Sequence, residues 1–260
     1  MGGSEFDGLS SIQQTSDGGY IVGGSSQSGI SGDKTEENLG FYDYWVVKLN
    51  NIGIIEWDNT IGADGDNELR SISQTSDGGY ILGGYSNSGI SGDKTEASIG
   101  SGDAWIIKLN STGYIEWQNT IGGSSIDLAE RISTTSDGGY IFSGHSNSGI
   151  SGDKTETCLG LNDFWIVKLN DFGSIEWDNT IGGSGTDAYP IISQTIDGGY
   201  ILGGTSNSGI SGDKTEASMT DDFWIIKLSC DGCISEIVSI SAGGPTTFCQ
   251  GGSVILTATY

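Results

Sequence analysis

The sequence is poor in basic residues, histidine and proline. It has 10 Lys and Arg against 34 Asp and Glu, a formal net charge of −24, a single histidine and only 2 prolines. Because phosphate binding needs clustered Lys and Arg, a surface of this charge repels nucleic acid and anionic membranes. The composition therefore argues against nucleic-acid binding, and it favours cations, proteins or neutral sugar-like molecules as partners.

Long hydrophobic runs are also lacking. No window approaches 18 consecutive apolar residues, so no membrane insertion is predicted, and the first six residues lack the basic and apolar regions of a signal peptide. Two interpretations are open: the protein is intracellular, or the chain is a segment of a longer exported protein. We favour the second, because residues 253–260 have the pattern of a strand interrupted in mid-domain.

The four cysteines are too few for a disulfide-rich framework. Cys230 and Cys233 have the spacing of a redox pair or half a zinc site, but no second pair with metal-ligand spacing occurs. They align with Ser111 and Tyr114, which flank a predicted turn between two strands. The ends of a β-turn lie within the roughly 7 Å that a disulfide tolerates. A disulfide that staples this hairpin and a pair of free thiols are the two alternatives.

Glycine and internal repetition, by contrast, are abundant. The chain has 45 glycines, and an Asp-Gly-Gly-Tyr motif recurs every 60 residues, beginning at Asp17, Asp77, Asp137 and Asp197. The string SNSGISGDKTE occurs three times, and a fourth copy differs only by Gln27. The chain is therefore four copies of one unit, which predicts a repeat architecture.

Each copy predicts four short β-strands and no helix. In the second copy the strands are expected at 71–75, 80–85, 105–109 and 115–121, with an Asp-Gly turn that supplies the positive φ of a tight hairpin. Alternation predicts one apolar face on the third strand and one on the fourth (Trp105, Ile107, Leu109; Ile115, Trp117, Ile121). The predicted fold class is all-β: a β-propeller of four-stranded antiparallel blades, with four repeats of about 60 residues.

The fourth copy departs from the pattern after Leu228. Glu236 stands where the other copies have a tryptophan, and the segment 234–240 is expected to replace the missing last strand. Residues 1–238 are thus predicted to form the propeller, and residues 239–260 a linker and the truncated start of another β-domain. Whether four blades close a ring or belong to a larger propeller is open.

Two repeat families are similar to this unit. The Gly-Gly doublet of residues 81–84, Asp103 before Trp105, and Trp117 twelve residues later resemble the kelch repeats of galactose oxidase-like propellers. From residue 2 to about 234, the Asp-Gly-Gly-Tyr, Gly-Asp-Lys, Asp-x-Trp and Lys-Leu motifs resemble repeats of large secreted and cell-surface proteins of Bacteroidetes-type bacteria. The tail, residues 244–258, looks like the opening of an immunoglobulin-like or PKD-like β-sandwich. The resemblance implies an extracellular or cell-surface location and no established enzyme activity.

The seven tryptophans all follow the repeat register. They could form a sugar-stacking platform or the packing between blades. We favour packing, because large side chains that recur at a fixed blade position can each bury 150–250 Å².

Each long loop between the second and third strands carries three acidic side chains. Carboxylate oxygens are the ligands that Ca²⁺ prefers, whereas Asp in Gly- and Ser-rich loops also forms local turns with its own backbone. Either the loops bind calcium, the one cofactor that these residues suggest, or the acids form local turns and no cofactor is bound. The candidate ligands are Asp33, Glu36, Asp43, Asp93, Glu96, Asp103, Asp153, Glu156, Asp163, Asp213, Glu216 and Asp222.

A second set of candidates comes from positions that differ between copies. Tyr85 and His145 stand at the repeat position that is Ser25 in the first copy and Thr205 in the fourth. Their rings could add stacking or hydrogen bonds to a polar rim formed by the loops. His145 has no Ser or Cys partner in a nucleophile motif, and the alternative to a binding role is a surface histidine without a function. The predicted ligand-binding residues are Tyr85, His145, Asn87, Asn147 and Asn207.

The function predicted from these features is a non-catalytic recognition or adhesion module of an exported bacterial surface protein. It would bind a glycan or a protein through loops on one propeller face, as a monomeric part of a larger chain. The alternatives are an architectural spacer and a glycan-acting propeller enzyme, because the separation of paired acids in space is not visible in a sequence.

Overall fold

The computed structural model describes residues 1–229, 238–242 and 256–258. These residues contain β-strands and no helix, and none therefore forms a helix that could span a membrane. In chain order the strands are β1 (Asp7–Gln14), β2 (Tyr20–Ser26), β3 (Asp43–Leu49), β4 (Ile55–Ile61), β5 (Asn67–Gln74), β6 (Tyr80–Ser86), β7 (Asp103–Leu109), β8 (Ile115–Ile121), β9 (Arg131–Thr134), β10 (Tyr140–Ser146), β11 (Asp163–Leu169), β12 (Ile175–Ile181), β13 (Asp187–Gln194), β14 (Tyr200–Ser206), β15 (Asp222–Leu228), β16 (Val238–Ala242) and β17 (Leu256–Ala258).

The strands pair with their sequence neighbours in four antiparallel sheets, which we call blades 1 to 4. Blade 1 is β1–β4, blade 2 is β5–β8, blade 3 is β9–β12 and blade 4 is β13–β17. Each repeat contributes one blade, and each blade packs on the next. The predicted fold class, an all-β propeller with four-stranded antiparallel blades from four repeats, is confirmed.

Blade 4 differs from the others beyond β15. β16 pairs with β15, with Ile240 opposite Ile225, so a strand does replace the missing one. The first four residues of the predicted segment, 234–237, lie outside the described residues. β17 pairs with β16 and adds a fifth strand. Cys230 and Cys233 lie outside the described residues, and the division of the chain at residue 238 stays a prediction.

One predicted strand face is wrong. Leu109 pairs with Ile115 and Lys108 pairs with Trp117, so Glu116 is an extra residue in the ladder of β7 and β8. A β-bulge of this kind changes the side of the sheet on which the neighbouring residues lie. Ile115 therefore packs in the core between blades 1 and 2, whereas Trp117 packs in the core between blades 2 and 3.

The hydrophobic core lies between consecutive blades. Tyr44 and Val46 of β3 pack against Trp105 and Ile107 of β7, and the same positions pack between blades 2 and 3 and between blades 3 and 4. Trp105 has no exposed surface, and its ring centroid lies 5.1 Å from that of Tyr44. The predicted packing between blades is confirmed for Trp105, Trp165 and Trp224, whose faces are not accessible for sugar stacking. Trp45 packs only against residues of blade 1, on the face that no other blade covers.

The second glycine of each Gly-Gly or Ser-Gly pair leaves room for the neighbouring strand. A Cβ atom on Gly84 would lie 2.1 Å from the carbonyl oxygen of Glu68, and one on Gly144 would lie 1.5 Å from that of Leu128. Real Cβ atoms do not come this close to a carbonyl. Glycine is therefore required where the first and second strands of a blade approach each other.

Blades 1 and 4 each leave one face uncovered by another blade. Phe223 is 85% exposed, although the residues at its position in the other blades (Tyr44, Ala104 and Phe164) are fully buried. Leu9 is 67% exposed, while its counterpart Leu69 is fully buried. No comparable strand packing joins blade 4 to blade 1 within the described part of the chain. A surface groove lies on each of these end faces, where a further blade would otherwise pack.

Candidate functional site

The long loops between the second and third strands of each blade form a continuous surface, which we call the loop surface (residues 27–42, 87–102, 147–162 and 207–221). Within each loop a tight turn is closed by paired backbone hydrogen bonds, as between Ser31 and Lys34, with Gly32 at a φ of 57°. The loop of one blade binds the connection that leaves the previous blade: Asp93 N donates to Gly62 O at 2.9 Å. Gly62 N donates in return to Asp93 Oδ2 at 3.0 Å. These bonds recur between successive blades, so the loops are held in register.

One isoleucine per blade projects from this surface into solvent. The side chains occupy the same position in all four loops, between a glycine and a serine, and their exposed fractions lie between 61% and 71% (Ile30, Ile90, Ile150, Ile210). We call these four residues the isoleucine row. The row was not predicted, because the loops are polar overall. The signal was present, since a large apolar residue at an identical place in four polar loops is itself unusual.

The twelve predicted calcium ligands do not converge in the loops. Among the residues that the structure describes, no three acidic, histidine or cysteine side chains form a group that could hold a metal ion. Most of the carboxylates instead accept hydrogen bonds from separate backbone amides. In the second loop, Glu96 Oε2 binds Thr120 N at 2.9 Å and Asp103 Oδ2 binds Ile99 N at 2.5 Å. Calcium binding by these loop residues stays a prediction.

The other loops repeat these contacts. Asp43 Oδ2 accepts a hydrogen bond from Leu39 N, and Asp163 and Asp222 bind the amides of Leu159 and Met219 in the same way. Backbone amides also bind Asp33, Glu36, Asp153, Glu156 and Asp213. Burial raises the pKa of Asp103 to about 6, against hydrogen bonds from Gly100 and Ile99 that lower it.

The predicted ligand-binding asparagines are at the edge of the loop surface. Asn87, Asn147 and Asn207 are exposed, and the side-chain oxygen of each accepts a hydrogen bond from the connection that leaves the previous blade, at 2.7–2.9 Å. Each therefore helps to hold two blades in register. Their role in ligand binding stays a prediction.

Tyr85 and His145 lie on the second strands and are only partly exposed. The hydroxyl of Tyr85 donates to Ser101 O at 3.4 Å. The ring of His145 contacts Tyr189 of blade 4, with centroids 5.9 Å apart, and its side chain is 14% exposed. Burial lowers the pKa of His145, and Glu130 opposes this effect. The expectation of a surface histidine is wrong, whereas ligand binding by these two residues stays a prediction.

The lysines of the Gly-Asp-Lys motif are buried, which sequence reasoning did not foresee. Lys94 Nζ lies 5.0 Å from the ring centroid of Trp105 and donates to Thr120 Oγ1 at 2.7 Å. Burial lowers the pKa of Lys94 to about 8, and Asp103 and Glu96 oppose the shift. Lys154 and Lys214 lie over Trp165 and Trp224 in the same way. These lysines fasten each loop to its own blade.

A second set of buried lysines fixes the Asp-Gly-Gly-Tyr turns. Lys108 Nζ lies 2.8 Å from Asp77 Oδ2 and 2.9 Å from Glu116 Oε2, and the Lys108 side chain is almost fully buried. Although burial raises the pKa of Asp77, hydrogen bonds from Lys108, Thr75 and Gly79 bring it down to about 2. The same ion pairs occur around Lys48 and Lys168. The motif therefore has a structural role: its aspartate binds the Asp-Gly-Gly-Tyr turn to the third strand of the same blade.

Comparisons with known proteins add little about function. No protein-family model and no curated protein matches the sequence. Among solved structures, the chain is similar to the WD40 domain of Pan2 from Neurospora crassa, with a TM-score of 0.46 and 12% sequence identity. The match covers 89% of this chain and 65% of the Pan2 chain. The assignment of the blades rests on the sheet order and the packing of this protein itself.

Proposed function

We propose that this protein is a non-catalytic binding module that engages a protein partner through its loop surface. The isoleucine row is the observation that supports the proposal. A single exposed isoleucine is ordinary, but apolar side chains repeated across one contiguous surface are typical of an interaction site. The bonds between loops and blade connections keep the four side chains in a defined arrangement, which lowers the entropy cost of binding.

A protein partner agrees better with this surface than a glycan does. Glycan platforms need several accessible aromatic faces, but Trp105 and Trp165 are fully buried, and the only aromatic residue that is largely exposed on the described loop surface is Phe41. Aliphatic side chains instead pack against apolar side chains of another protein. The net charge of −24 and the exposed acids of the loops, such as Asp33 and Glu36, favour a partner with basic residues around an apolar strip. Location at the cell surface, which the repeat resemblance implies, is part of the proposal.

The proposal is tested with an Ile90→Ser/Ile150→Ser variant. Both residues are exposed, so we expect the free energy of unfolding to change by less than about 0.5 kcal/mol per site. The control is Ile52→Ser/Ile54→Ser in the turn between β3 and β4, where two equally apolar residues are exposed away from the loops. Peptides selected from a displayed random library on the wild-type protein serve as probes.

We expect the selected peptides to combine basic and apolar residues. Their affinity should fall at least about tenfold on the loop variant, the loss of roughly 1.4 kcal/mol, and stay constant on the control. Equal binding to both variants would contradict the proposal. If no peptide is selected, a glycan array on the wild type and on a Tyr85→Ser/His145→Ser variant decides between a glycan-binding module and a spacer.

A further inference from the structure

The junction between blades 1 and 2 contains a buried amide surrounded by oxygen atoms. Asn67 is fully buried, and its Nδ2 donates to Asp43 Oδ1 at 3.1 Å. The same nitrogen lies 3.3 Å from the carbonyl oxygen of Tyr42, 3.2 Å from that of Ala63 and 3.4 Å from that of Gly65. One NH₂ group, which has two N–H donors, thus lies within hydrogen-bond distance of a carboxylate and three carbonyl oxygens between the two blades.

The next two junctions have an aspartate where Asn67 stands. Asp127 and Asp187 occupy this position, and both are fully buried, as are Asp103 and Asp163, which are the counterparts of Asp43. Because Asn67 binds Asp43, each aspartate is placed opposite that counterpart, and the negative charges of Asp127 and Asp187 act on Asp103 and Asp163 respectively. Like Asn67 Oδ1, one oxygen of each accepts a hydrogen bond from a loop serine: Asp127 Oδ2 binds Ser148 Oγ at 2.8 Å. The other oxygen therefore takes the place of the amide nitrogen.

The cluster of carbonyl oxygens around this position is retained. The backbone bond from Asp127 N to Gly102 O measures 2.9 Å, and its counterpart from Asn67 N to Tyr42 O measures 2.8 Å. A Cβ atom on Gly100 would lie 2.6 Å from Gly123 O and 2.2 Å from Ser125 O. At the equivalent Gly40, the corresponding distances to Ala63 O and Gly65 O are 2.1 and 2.4 Å. The carbonyl oxygens of residues 123 and 125 therefore lie close together, as those of Ala63 and Gly65 do, but an aspartate stands where Asn67 supplies an amide donor to them.

The consequence is a set of buried carboxylate oxygens without partners. Among the described residues, five aspartates have a buried Oδ1 that makes no hydrogen bond. One of them, Asp66 in the first junction, is partly exposed, whereas the other four are fully buried and lie in the second and third junctions (Asp103, Asp127, Asp163, Asp187). Asp43 Oδ1, in the junction that has the asparagine, is satisfied. No Lys or Arg in the described part of the chain forms an ion pair with any of the four. Two unpaired buried carboxylates at one point are costly unless a cation neutralises them.

We propose that Ca²⁺ binds in the two junctions that carry a pair of aspartates, between Asp103 and Asp127 and between Asp163 and Asp187. Each ion would be held by the two Oδ1 atoms and by carbonyl oxygens of the connection between the blades (residues 102, 123 and 125, or 162, 183 and 185). Hard oxygen ligands of this kind are what Ca²⁺ takes, with water completing six to eight ligands. The ion would join consecutive blades, in the position where an amide joins blades 1 and 2.

This site differs from the loop site predicted from the sequence. The loop hypothesis takes all of its ligands from one repeat and would give four equivalent sites. The junction site takes its carboxylates from two blades and excludes the first junction, because Asn67 supplies a donor there. The number of ions bound per chain therefore separates the two hypotheses.

The test uses exchanges that the chain itself contains. Asp127→Asn/Asp187→Asn converts the second and third junctions to the first type, and Asn67→Asp converts the first to the second type. Each protein is unfolded, freed of metal with EDTA, refolded and equilibrated with Ca²⁺, and bound Ca²⁺ is counted by equilibrium dialysis. We expect two ions in the wild type, none in the double variant and three in Asn67→Asp. Asp93→Asn/Asp153→Asn, which alters only loop carboxylates, should still bind two.

Thermal unfolding gives a second readout. A ligand bound only by the folded state at about 100 times its dissociation constant adds about 2.7 kcal/mol, or a rise of about 5–10 °C in Tm for a chain of this size. We expect this rise in the wild type and its loss in the double variant, which should also be the more stable protein in EDTA. The proposal is overturned if the double variant keeps the Ca²⁺-dependent rise. It is equally overturned if the wild type binds no Ca²⁺, in which case the carboxylates share a proton.

Discussion

The packing of consecutive blades should depend on the contact between Tyr44 and Trp105. Tyr44 belongs to blade 1 and Trp105 to blade 2, both are fully buried, and the hydroxyl of Tyr44 donates to Trp105 O at 3.1 Å. A buried indole removes about 150–250 Å² from water, and at about 25 cal/mol per Å² its loss amounts to about 4–6 kcal/mol. Partial collapse of the cavity brings the expected cost of Trp105→Ala to about 3–5 kcal/mol.

A double-mutant cycle isolates the contact between the blades. Tyr44→Ala, Trp105→Ala and the double variant are compared with the wild type by urea unfolding, and the slopes show whether the transition stays cooperative. We expect the two substitutions to be coupled by about 0.5–1.5 kcal/mol, as for other buried aromatic pairs. Tyr114→Ala, which removes an exposed aromatic ring, is the control and should change stability by less than about 0.5 kcal/mol. A cost below about 1 kcal/mol for Trp105→Ala, or zero coupling, would refute this packing of the blades.

Three further predictions concern single contacts. Gly144→Ala should destabilise the protein by at least about 1–3 kcal/mol in urea unfolding, because the added Cβ would collide with Leu128 O. The control is Gly89→Ala, which should have little effect because no atom lies within 4 Å of its added Cβ. Equal effects of the two substitutions would contradict the steric role of Gly144. Asp77 has a lowered pKa of about 2 in the folded state, so its stabilising effect is present above pH 3.8 and is lost as the pH falls towards 2. Asp77→Asn should reduce this pH dependence of the free energy of unfolding by about 1 kcal/mol or less, because Asp77 is largely exposed. An unchanged dependence between pH 4 and pH 2 would count against a stabilising ion pair of Asp77 with Lys108. Lys94 has a pKa lowered to about 8 in the folded state, so between pH 8 and 10.5 the unfolded chain binds more protons at this residue than the folded chain does. The free energy of unfolding should therefore rise with pH in this range, by roughly 3 kcal/mol at most. Lys94→Met should reduce the rise between denaturation curves at pH 7.5 and 9.5, and a rise of the same size in the variant would argue against a buried charge.

The strands were predictable because their signals are local. The Asp-Gly-Gly-Tyr turns and the alternation around Trp105 placed the third and fourth strands of the second copy to within two residues of β7 and β8. The face of Ile115 was not predictable, because a bulge depends on how two strands pair. Likewise, the sequence showed that His145 is alone in its column, but its contact with Tyr189 depends on a neighbouring blade.

For the candidate sites too, the sequence shows which residues recur, and the structure shows where they lie. The isoleucine row can be found in the sequence as a repeated apolar residue, but its exposure required the loops to be seen in place. The loop acids were recognisable in the sequence as a repeated pattern, whereas the negative charge of Asp127 acts on Asp103 only because two blades stack.

Repetition in the sequence was sufficient to establish the four units, their strands and the glycine-rich turns between them, because these depend on residues close together in the chain. The tertiary structure decided which charged groups are buried and which oxygens meet without a donor. Those properties arise at the junctions between blades, where the replacement of Asn67 by Asp127 and Asp187 turns an amide contact into a pair of opposed carboxylates. The burial of a carboxylate and its distance from another carboxylate depend on how two sheets pack. The sequence of one repeat therefore does not reveal either property.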